Sequence, residues 1–121
     1  MYVHLASNDT TFNSNTDFVC ILPSPIYLNG SYECALVNIS GDLPDNYCVL
    51  CDIIESRIIR GERKQILRKV YRSKEFQNLQ FIKVKDAVIQ SIRIHITTHN
   101  FQNIESKDKI TQCTLCLRKC G

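Results

Sequence analysis

Apolar and polar residues alternate along much of this chain with a period of two. Ile92, Ile94 and Ile96 interleave with Ser91, Arg93, His95 and Thr97. Successive side chains of an extended backbone point to opposite faces, so the pattern buries three isoleucines on one face and wets the other. Short runs rich in aromatic and β-branched residues predict further strands at Tyr2 to Ala6, Asp17 to Leu22, Tyr32 to Ile39, Tyr47 to Ile54, Gln65 to Tyr71, Leu79 to Val84 and Ile110 to Leu117. Turn chemistry separates them: Asn29-Gly30, Gly41-Asp42 with Pro44-Asp45-Asn46, and Arg60-Gly61-Glu62 each suit a hairpin or a loop. Pro23 and Pro25 cannot donate to a ladder, so they belong at an edge or a strand entry. Ser73 to Leu79 has room for one helical turn, but nothing sustains a 3.6-residue period. About eight short strands without helices predict one all-β domain over residues 1–121, an antiparallel β-sandwich or small barrel, with the jelly roll as its eight-stranded member.

Composition agrees with a folded domain. Of 121 residues, 44% are hydrophobic and 22% charged, close to the globular average. The longest apolar runs, such as Tyr47 to Cys51, fall far short of the roughly 20 residues that span a membrane. Met1 to Thr10 has no basic segment followed by an apolar core, so no secretory signal is expected and the chain should start in the cytosol. In such a reducing compartment the seven cysteines, an odd number, are expected to serve mainly as small buried hydrophobes.

Three ordered blocks resemble a known pattern. Tyr2-Val3-His4-Leu5-Ala6-Ser7-Asn8, then Leu22-Pro23-Ser24-Pro25-Ile26, Leu28-Asn29-Gly30 and Tyr32 to Ile39, are similar to the opening of a minor capsid protein of Polintons and adintoviruses. Val49-Leu50-Cys51-Asp52-Ile53-Ile54-Glu55 and Gln65-Ile66-Leu67-Arg68 look like its middle, and Phe81 to Val84 with Ile89 to Ile96 like its third block. Tyr32 stands where that family has Trp, and Cys113, Cys116 and Cys120 occupy the place of a different terminal strand. The resemblance implies a penton-type vertex protein of a virion. It would be a single jelly roll, assembled inside the host cell into a homo-oligomer, a pentamer, beside neighbouring capsid subunits.

The candidate chemistry is sparse. Cys48-x2-Cys51 and Cys113-x2-Cys116 have a zinc-like spacer, but the pairs are much farther apart than the roughly 12 to 20 residues of compact zinc patterns. Residues three apart on a strand also point to opposite faces, so no metal is expected. His4, His95 and His99 are scattered and no catalytic or nucleotide-binding motif is present, so neither an enzyme nor a cofactor is expected.

Charge is locally asymmetric although the net charge is only +3. Arg57, Arg60, Arg63, Lys64, Arg68, Lys69, Arg72 and Lys74 face one acid, Glu62, between positions 57 and 74. One reading is a small basic binding module that contacts packaged nucleic acid non-specifically, or an acidic partner. The other is a solvated β-edge whose charges prevent aggregation. Tyr71 is the single aromatic residue in the stretch, so base-stacking recognition of single strands is not expected.

Overall fold

The alternation around Ile92 is realised in a ten-residue strand at the centre of a sheet. The computed structural model describes residues 1–9, 13–72, 76, 78–105 and 109–120. Within them run eleven strands: β1 (Tyr2–Ala6), β2 (Asn13–Ser14), β3 (Asp17–Tyr27), β4 (Tyr32–Ser40), β5 (Asn46–Cys51), β6 (Arg57–Ile59), β7 (Glu62–Lys64), β8 (Ile66–Tyr71), β9 (Ile82–Lys83), β10 (Val88–Thr97) and β11 (Gln112–Lys119). A 3-10 turn occupies Ser7–Asp9. No helix among the described residues is long and apolar enough to cross a membrane.

Two antiparallel sheets form the sandwich, in the orders β1-β11-β4-β9 and β2-β3-β10-β5-β8. Setting aside the short β2 and the separate β6–β7 hairpin, the chain changes sheet at every step between consecutive strands except from β5 to β8. Eight strands wound in this way are a single jelly roll. The fold class expected from the alternation is therefore the one adopted.

The inner faces meet in a largely apolar core. Phe18, Leu36, Val49, Ile92, Ile94, Ile96 and Leu115 are fully buried. Each such side chain contributes about 2 kcal/mol of transfer free energy. Tyr47 lies among them, and its buried hydroxyl has no hydrogen-bond partner among the described residues. Burial pushes its pKa up to about 12.

Several boundaries differ from expectation, for local reasons. β3 runs on through Pro23 and Pro25. Its register against β10 jumps from Ile21 opposite Ser91 to Ile26 opposite Ile89, so the prolines sit in a bulge, beyond the short pairing with β2. A bulge leaves residues out of the ladder, which suits a residue without an N–H. β5 stops at Cys51 rather than Ile54. There the Asp52 carboxylate accepts the Arg93 backbone N–H at 2.9 Å, and the Gln65 amide donates to the carbonyls of Asp52 and Ile54. The chain is thus turned out of the sheet. β9 keeps only two residues of the predicted Leu79 to Val84 run. The cysteine-rich end forms β11, which pairs with both β1 and β4. The helical turn considered for Ser73 to Leu79 lies largely outside the described residues.

Candidate basic interface

The hairpin β6–β7 carries the first half of the basic stretch. Arg60 and Gly61 form its tip, both with positive φ, 53° and 81°. That combination defines a two-residue turn whose twist matches paired strands. Arg57 faces Lys64 across the hairpin, and Ile58 faces Arg63. The second half lies on β8, the last strand of its sheet. Here Arg68 lies opposite Val49 and Lys69 opposite Cys48.

The cations are not one uniform patch. Arg57, Arg68 and Lys69 line a cleft of about 470 Å³ together with Ile59, Val70 and Phe76. The Arg57 guanidinium donates to the Ile66 carbonyl at 2.9 Å. Arg68 stacks 3.9 Å over the Phe76 ring and donates to the Asn78 carbonyl at 2.8 Å. Burial pulls the Arg68 pKa down, yet a guanidinium stays charged at any physiological pH. Arg63 and Lys64 instead face a smaller cavity of about 170 Å³, shared with Asp52, Arg93 and His95. Lys64 pairs with Glu62 at 3.3 Å, and Arg63 donates to the Ser56 hydroxyl. Arg60 and Arg72 are exposed. Lys74 lies outside the described residues. Among the described residues, Lys64 is the one member of the stretch with an acidic partner.

A second polar group, not anticipated from the sequence, lies on β10 and β3. Arg93 grips Asp17 with two hydrogen bonds, 2.9 and 2.8 Å. This holds the Asp17 carboxyl below its usual range, whereas burial raises that of Asp52. Only the three-dimensional pairing of β10 with β3 brings Asp17 beside Arg93, 76 positions away in sequence.

The histidines are engaged in three different places. His4 meets the Thr114 hydroxyl, His95 the Asn103 side chain, and His99 the carbonyls of Tyr47 and Val70. The two cysteine pairs lie on different sheets, Cys48 and Cys51 on β5, Cys113 and Cys116 on β11. Among the described residues, no group of three or more His, Cys, Asp or Glu side chains is placed to hold a metal ion. Cys34, Cys51 and Cys113 are core thiols, and burial pushes each pKa up, that of Cys34 to about 12. Such thiols are poor nucleophiles, because the reactive form is the thiolate.

Compared with family models, with curated proteins and with solved structures, the chain matches none.

Proposed function

We propose that this chain is a structural subunit of a virus-like icosahedral capsid, its vertex protein, acting by oligomeric assembly without catalysis. The observation that carries this reading is the strand order, a single jelly roll whose sheets read β1-β11-β4-β9 and β3-β10-β5-β8. The blocks that resemble the Polinton and adintovirus protein overlap β1, β3, β4, β5, β8, β9 and β10, in chain order. Fold alone does not define function, so the resemblance adds what the architecture lacks.

Assembly has a physical basis in the surface. Ile21 and Tyr27 on β3 are 67% and 74% exposed, and Val88 opposite Tyr27 is also exposed. Apolar side chains on a sheet edge gain free energy when a neighbouring subunit covers them. A standard interface hides about 800 Å² on each partner, and two such faces per subunit close a ring of head-to-tail contacts. Multi-angle light scattering, with electron micrographs of the purified protein, tests this. The expected result is a closed ring, five-membered under the family resemblance, whose thermal midpoint rises with protein concentration. A monomer at tens of micromolar with a concentration-independent midpoint overturns a ring that forms in isolation.

A second reading has its own support. Arg60, Lys69 and Arg72 are exposed cations without an acidic partner among the described residues, which suits non-specific contact with packaged nucleic acid. Affinity for duplex DNA should then fall steeply with salt and ignore sequence, and replacing Arg60, Arg63 and Lys64 by Ser should weaken it. Absence of binding at low salt rejects this reading and favours a purely protective edge.

A further inference from the structure

We propose that the outer edge of β8 takes an extended acidic segment of a partner protein as an added strand, seated in the cleft between β8 and the β6–β7 hairpin. The inference is independent of the vertex reading. It uses the cations of the nucleic-acid reading but assigns the cleft a different ligand.

The backbone supplies the first argument. β8 pairs with β5 on one side, while β6 pairs with β7, so the other edge of β8 has no strand beside it among the described residues. The Arg72 N–H donates to the Asp45 carbonyl on the β5 side. Backbone direction alternates along a strand, so Val70 and Arg68 also turn their polar groups toward β5. Lys69 and Tyr71 therefore present an N–H and a C=O outward. At the near end of this edge the Arg57 guanidinium already satisfies the Ile66 carbonyl, as an incoming strand would satisfy the next groups.

The cavity supplies the second. It is lined by four consecutive residues of β8, Arg68 to Tyr71. Neighbouring side chains on a strand point to opposite faces, so a cavity that touches all four lies against the edge of the strand and not against either face. Four residues of strand extend about 13 Å, long enough to register a short peptide.

Chemistry selects the ligand. Arg57, Arg68 and Lys69 line the cleft, and among the described residues no acid does. Two of these cations are held in place, Arg57 on the Ile66 carbonyl and Arg68 between Phe76 and the Asn78 carbonyl. Edge cations repel basic strands and disfavour neutral ones, whose pairing would strip water from unmatched charges. The same charges admit an acidic strand, while Ile59 and Phe76 offer apolar contacts to its alternate residues. Strand addition of this kind draws affinity from main-chain hydrogen bonds and specificity from alternate side chains.

The test uses a fluorescent octapeptide alternating Glu and Val, and two versions of it N-methylated on the odd or on the even residues. A single-stranded DNA oligonucleotide of equal charge serves as a second probe. An added strand pairs through alternate residues only, so one N-methylated version should lose affinity by about tenfold or more while the other retains it. Lys69→Pro, which removes an outward N–H, should weaken binding well beyond Lys69→Ala, which removes the same charge. No peptide binding, or equal binding of the parent and both N-methylated peptides, overturns the proposal. If the DNA binds and the peptide does not, the strand slot is rejected and the nucleic-acid reading stands; if neither binds, the strand slot is rejected and duplex DNA at low salt decides the nucleic-acid reading.

Discussion

β10 and β8 flank β5 in the same sheet, yet they treat their cations in opposite ways. On β10, Arg93 lies within a forked hydrogen-bonded pair with Asp17 from the neighbouring strand. On β8, Arg68 and Lys69 have no acidic partner among the described residues, and Arg68 is held only by a ring and a carbonyl. A cation at an inner strand is matched from within the molecule, whereas cations at the free edge are left for whatever approaches it. Exposed ion pairs stabilise little, so neither arrangement matters much to the fold. The distinction concerns what each surface offers to a partner.

The largest effect expected is alkaline. Cys34, Cys51 and Cys113 have raised pKa values because burial disfavours the thiolate. An unfolded thiol ionises near about 8.5, so above that pH the unfolded state binds fewer protons and stability falls until the folded values are passed. Cys34, at about 12 in the folded protein, alone removes about 3 kcal/mol by pH 11. Denaturant melts between pH 8 and 11 check this; a flat profile would mean that the core is wet.

Next comes Ile94→Ala in the matched strand, expected to cost about 3 kcal/mol through the cavity it leaves. Tyr47→Phe should do the reverse by about 1 kcal/mol, since it deletes a buried hydroxyl without a partner among the described residues; a lower thermal midpoint would show that the hydroxyl is satisfied. Asp17→Asn should cost about 0.5 kcal/mol, in keeping with an exposed pair. Smallest of all, Arg60→Ser and Arg63→Ser on the hairpin should leave stability unchanged within about 0.5 kcal/mol. If the hairpin variants cost more than Asp17→Asn, the contrast between a matched cation and unmatched ones fails.

How far the fold was legible depended on the length of each pattern. Ile92, Ile94 and Ile96 form a long alternation, and β10 contains them all. The β6–β7 hairpin announced itself only by Arg60-Gly61, because three-residue strands are too short to display a period. The early end of β5 followed from Asp52 and Gln65, whose hydrogen bonds join segments that no local pattern connects. The basic stretch was visible as charge, but its division between two cavities was not. That division is tertiary: Arg57 and Ile59 of the hairpin line the cleft with β8, whereas Arg63 and Lys64 face Asp52, Arg93 and His95. Asp17 with Arg93 was equally hidden, since each sat in its own strand with no local sign of the other.

The winding of the strands also sets an order of events. β5 and β8, with the hairpin between them, are the one pair of consecutive principal strands that can associate without waiting for the rest. The opposite sheet is closed by β11, inserted between β1 and β4, and the Met1 amino group reaches the Leu117 carbonyl at 2.9 Å. Pairings between such distant segments are slow to form. On a ribosome, then, β1 must stay unpaired with β11 until Gln112–Lys119 has emerged, and until that moment the edge of β4 that β11 covers lies open to chaperones and to other copies of the nascent chain.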